Sequence, residues 1–100
     1  MYAVIREATR RPEMEEQGRA AREEFFALRA RQPGFRGSLT VDAGEGRVVT
    51  LALWESEQAQ AAAAGILAPE AERLMAPSVA GGPARIVYQG PVVADDLTTR

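Results

Sequence analysis

The sequence contains no cysteine and no histidine, and it contains no lysine and no asparagine either. Without cysteine there is no disulfide and no thiolate chemistry. Without histidine there are no imidazole metal ligands, no histidine-activated serine or cysteine nucleophile, and no use of the commonest general base. Without lysine, Schiff-base chemistry is excluded and every cationic side chain is an arginine. Aromatic residues make up only 6% of the chain, with one tryptophan. Charge of one sign is also missing as a block: arginines and carboxylates are interspersed and the net charge is −2. This argues against nucleic acid as a partner, because such binding rests on a clustered positive surface. No apolar run reaches the length that spans a bilayer, and no signal peptide precedes the first strand, so the expectation is a cytoplasmic protein with no membrane partner.

What is present is organised around Arg47 to Ser56, a β-branched and apolar strand that ends at Trp54 and passes into an alanine-rich segment. Val49, Leu51 and Leu53 fall on one side, and Val48, Thr50, Ala52 and Trp54 on the other. Both sides are largely apolar, so each needs a cover. A chain of 100 residues makes one domain, expected over residues 1–94, with a polar tail at 95–100.

Before the central strand, Tyr2 to Glu7 alternates as a first strand. Pro12 and the acids Glu13, Glu15 and Glu16 open a helix, whose apolar stripe is Met14, Gly18, Ala21, Phe25 and Leu28. Arg29 and Arg31 stand at its negative end, and Glu15, Arg19 and Glu23 suit a charged ladder on another face. Gln32-Pro33-Gly34 ends the helix. A one-sided strand follows, with Phe35, Leu39 and Val41 on one face and Arg36, Ser38 and Thr40 on the other. A turn over Asp42 to Gly46 joins it antiparallel to the central strand. After Trp54, Ser56 suits a helix cap. Gly65 and Pro69 are expected to break the second helix, which restarts at Pro69 and stops by Pro77 and Gly81-Gly82-Pro83. Ala84 to Gln89 reads as the fourth strand, resumed at Val92-Val93 beyond Gly90-Pro91 at an edge or a bulge.

The order strand, helix, strand, strand, helix, strand predicts an α+β fold: a ferredoxin-like β-α-β-β-α-β sandwich with an antiparallel four-stranded sheet. Two helices cover one face of such a sheet. The other face predicts a homodimer packed sheet to sheet.

Gln32-Pro33-Gly34-Phe35, Gly37-Ser38, the hairpin, and Trp54-Glu55-Ser56 followed by a Gln/Ala helix together resemble the antibiotic biosynthesis monooxygenase (ABM) domain family of dimeric α/β barrels. The resemblance runs from about Tyr2 to Val93. It implies either cofactor-independent oxygenation of a small aromatic or polyketide-like molecule, or haem degradation. Trp54 matches the tryptophan that borders the family's substrate cleft. Haem-degrading members use an asparagine and an iron-ligating histidine, and cofactor-free members also use an asparagine. The absence of both residues excludes haem degradation by that route. The expected catalytic residues are Trp54, Tyr88 and Arg85, with Trp54, Phe25, Phe26 and Met75 binding substrate and with neither cofactor nor metal. In that scheme Trp54 positions the ring while Tyr88 or an arginine, Arg85 or Arg36, holds its oxygen. Each residue also has a plainer reading: Trp54 as a core plug, Tyr88 as ordinary packing, the arginines as surface charge and the Phe and Met side chains as core. The alternative function is a non-catalytic small-molecule-binding or dimerisation module of the same fold.

Overall fold

The computed structural model describes residues 1–75 and 79–96, with residues 79–83 described as backbone. Strand β1 (Tyr2–Arg10) leads through a 3-10 turn at Pro12–Met14 into α1 (Glu15–Ala30). Then follow β2 (Phe35–Gly44), β3 (Arg47–Trp54), α2 (Glu57–Met75) and β4 (Val79–Pro91). The four strands form one antiparallel sheet in the order β2-β3-β1-β4, the ferredoxin-like arrangement expected from the element order. No helix among the described residues is long and apolar enough to cross a membrane.

The helices cover one face. Val4 is fully buried there, with Tyr2, Ala52 and Trp54 from the sheet and Ala63 and Leu67 from α2. Phe25 and Leu28 of α1 and Phe35 of β2 pack against this cluster. Register extends the covered face to Arg6, Ser38, Thr40 and Thr50, because residues paired across strands share a face. The opposite face carries Ile5, Leu51, Leu39 and Val41, and Leu39 and Val41 are 58% and 55% exposed.

Several local features differ from the sequence expectation, each for a physical reason. Phe35 does not share a face with Leu39 and Val41. The pairing steps from Phe35↔Trp54 to Gly37↔Leu53, leaving Arg36 as a bulge. Gly37 (φ +130) supplies backbone that a side chain would resist. The bulge turns Phe35 under the helices and leaves Leu39 and Val41 on the open side.

The second helix is one element. Pro69 lies inside α2, and the N–H it lacks is the one that would bond to the carbonyl of Gly65. Both residues lie on the exposed side of the helix, and the helix continues with one bond fewer. Ser56 caps this helix as expected, accepting from the N–H of Ala59 at 3.1 Å. Strand β4 begins at Val79 rather than Ala84. It is an edge strand, which accommodates Pro91, and the Val92 N–H donates to the Met1 carbonyl at 2.8 Å. The expected stop at Pro77 and the tail over residues 97–100 lie outside the described residues.

The charged ladder on α1 is also rearranged. Arg19 pairs with Glu16, whereas Glu15 turns to Arg10 at 3.5 Å and Arg22 at 3.8 Å. The hairpin turn is the two residues Glu45 (φ 57) and Gly46 (φ 79), the left-handed pair that matches strand twist.

Candidate functional site

The helix-covered face of the sheet is built in rows. The first joins Phe35, Trp54 and Tyr2 across β2, β3 and β1. Trp54 is 3% exposed and meets Phe35 edge to face, with ring centroids 5.2 Å apart. The next row, Ser38, Ala52 and Val4, is narrower. The third, Thr40, Thr50 and Arg6, is polar, and the two threonine hydroxyls lie 3.4 Å apart. From Trp54 toward Arg6 the floor beneath the helices therefore passes from aromatic to cationic.

Helix α1 lays Phe25, Phe26 and Arg29 over this floor. Arg29 is 6% exposed. Its guanidinium carbon lies 4.5 Å from the Phe26 ring centroid, 5.1 Å from that of Phe35 and 6.0 Å from that of Phe25. One terminal nitrogen donates to Ser38 Oγ at 2.8 Å. Burial, and then the like charge of Arg6, lower the Arg29 pKa from the ordinary guanidinium range to about 10. Burial lowers that of Arg6 as well. Two N–H donors within this interior, Arg29 Nε and Trp54 Nε1, have no acceptor, although buried donors are nearly always paired.

The sequence-predicted residues divide between the two faces of the sheet. Trp54, Phe25 and Phe26 lie on the helix side, and Met75 is the last residue of α2. Tyr88 pairs in register with Ile5, and Arg85 with Glu7, on the open face. Tyr88 is 70% exposed there, and Arg85 donates to Glu7 Oε1 at 2.7 Å. Within one chain neither shares a cleft with Trp54. Arg36, on the bulge, reaches Glu55 at 3.7 Å.

Sequence reasoning missed Arg29, which it read only as a charge at the negative end of α1. The signal was its spacing: Arg29 follows Gly18, Arg22 and Phe25 at helical steps of four, three and four, along one edge of the inward stripe.

A separate open depression of about 250 Å³ lies where α2 meets the loop before β2, lined by Gln32, Pro33, Gly34, Glu55, Ala59, Ala62, Ala63 and Ile66. Its depth depends on Gly34. A Cβ there would fall 2.6 Å from that of Ala59, and the backbone has φ +85.

No protein-family model and no curated protein matches the chain. Solved structures match over nearly its whole length. A Caulobacter crescentus protein, provisionally named an antibiotic biosynthesis monooxygenase, superposes with a TM-score of 0.77 at 21% identity, covering 93% of this chain and 90% of its own. A Nitrosomonas europaea protein with the same provisional name gives 0.75 at 18% identity, covering 94% and 100%. SnoaB of Streptomyces nogalater, a cofactor-independent oxygenase solved as an asparagine-to-alanine variant, gives 0.72 at 18% identity, covering 96% of each chain. The chain thus has an ABM-like fold, as the motifs around Phe35 and Trp54 led one to expect.

Proposed function

We propose that the chain binds a small aromatic or polyketide-like molecule in the interior between the helices and the sheet, and oxygenates it without metal or flavin. The observation that supports this reading is the unpartnered Trp54 indole N–H at the centre of an aromatic row. A buried donor left without an acceptor is costly unless a ligand supplies one.

In this chemistry the substrate provides the reactive carbanion. An anthrone-type phenol or enol loses a proton to give an electron-rich anion, which passes an electron to dioxygen. The resulting radicals join as a peroxide, and loss of water leaves the quinone. The methylene carbon is oxidised, and one O2 becomes one carbonyl oxygen and one water. The protein's contribution is to exclude water, stack the ring and stabilise the anion. Phe25, Phe26 and Trp54 suit the stacking role.

The working unit is proposed to be a homodimer formed through the open sheet face, where Leu39 and Val41 are exposed. Tyr88 and Arg85, on that same face, then belong to the subunit contact.

Oxygen consumption on anthrone in the presence of a chelator tests the activity. The expected result is one O2 taken up per anthraquinone formed, at a rate lowered about tenfold or more by Trp54→Ala. Saturable anthrone binding with no uptake above the uncatalysed rate would leave the second reading, a binding module without turnover. That reading is favoured by the separation of Tyr88 and Arg85 from Trp54, which takes both expected polar catalysts out of the interior.

A further inference from the structure

We infer that the interior site is built for an anion: a planar aromatic ligand whose anionic oxygen is held by Arg29, with Arg6 beside it, while its ring lies toward Trp54. This inference rests on the ligand-binding reading above and specifies the ligand's charge.

Six of the exposed or half-buried arginines are paired: Arg10, Arg19, Arg22, Arg36, Arg73 and Arg85 each have a glutamate or aspartate partner, whereas the exposed Arg31 and Arg47 rely on solvent and, for Arg31, the Ala27 carbonyl. Exposed pairs of this kind add little. An uncompensated charge is most expensive where it is buried, as Arg29 is, with the half-buried Arg6 beside it. Neither Arg29 nor Arg6 has a carboxylate partner among the described residues. The two also repel each other.

Arg29 keeps only a neutral hydroxyl and three aromatic faces, and its Nε–H has no acceptor. A buried Arg29 with a second, half-buried positive charge beside it, an unused guanidinium N–H and an unused indole N–H together lack one thing, an acceptor with negative charge. A guanidinium binds a planar oxyanion with directed N–H bonds. The gradation of rows sets the ligand's orientation. Its oxygen belongs at the Arg29, Arg6 and threonine end, where Thr40 is exposed, and its ring belongs at the aromatic end.

The test compares 2-naphthoate with its neutral isostere 2-naphthamide, using the full chain. Affinity is read by calorimetry and location by the indole N–H resonance, a single peak because the chain has one tryptophan. The expected result is binding of 2-naphthoate about tenfold or more tighter than the amide, with a shift of the indole peak. In Arg29→Gln the two affinities should converge, whereas Arg19→Gln, on the exposed face of α1, should keep the difference. Equal binding of acid and amide by the wild-type protein would overturn the anion inference and leave the ligand-binding reading standing. So would a preference that survives Arg29→Gln. Failure of both probes to bind, with an unmoved indole peak, would overturn both. Arg29-dependent binding of the acid without oxygen uptake on anthrone would uphold the inference and reject only the oxygenase chemistry.

Discussion

Arg29 is the residue on which structure and function diverge most. Its charge is held at a pKa of about 10, first by burial and then by Arg6. A base whose folded pKa is depressed is destabilising in its charged form at every pH below that value, and the cost is relieved as the pH rises through about 10. Replacing an unpaired buried charge with an apolar side chain of similar length should therefore stabilise the ligand-free protein, even though the Ser38 bond is lost. Arg29→Met is expected to raise unfolding free energy by about 1–3 kcal/mol, seen as a rise of several degrees in Tm. A loss of stability would mean that the three phenylalanine faces and Ser38 already compensate the charge, making Arg29 a structural residue. Trp54 poses the same question in neutral form, since its indole N–H is buried and unpartnered.

Among the elements, α2 is the one whose course the sequence misrepresented. Propensity alone places a break at Gly65 and Pro69. The helix passes through because the two are four residues apart on the solvent side, while Ala63 and Leu67 anchor the inner side. Tertiary burial of one stripe outweighs a local defect on the other. The defect should still be measurable: Pro69→Ala restores a donor and is expected to stabilise by about 2–3 kcal/mol in urea denaturation. No gain would mean that the proline's fixed backbone angle compensates for the missing bond.

Strand β2 teaches a related lesson. Alternation read from Phe35 onward is correct only if the pairing is unbroken, and a bulge at Arg36 inverts it. Gly37 was the visible sign, but a glycine in a strand does not say which way the register shifts. Tyr88 and Arg85 were expected to act with Trp54, and within one chain they lie on the other face of the sheet. Their side of the sheet depends on a register shift opposite Ile5 and Arg6 that no residue pattern announces.

For the whole molecule, element order and hydrophobic alternation carried the fold. Strand β3 has two apolar faces, two helices cover one of them, and Leu39 and Val41 remain in the open on the other. If that face is the subunit contact, Leu39→Glu places a charge where Leu51 sits opposite across the strands and should convert a dimer into a folded monomer in sedimentation equilibrium. A monomeric wild-type protein would remove the dimer from the account. The interior site was half legible. The aromatic residues of the proposed ring-binding end stand out in the sequence, but its cationic end depends on Arg29 folding inward without a carboxylate partner, a fact of packing that composition conceals.

The measurement that bears most directly on the central claim is the crystal structure of the complex with 2-naphthoate. The account predicts the carboxylate within hydrogen-bonding distance of Arg29 Nε, with the naphthalene ring lying beneath α1 toward Trp54. A carboxylate seated instead in the depression beside Gly34 and Ile66, or against Tyr88 and Arg85 on the open face, would contradict it.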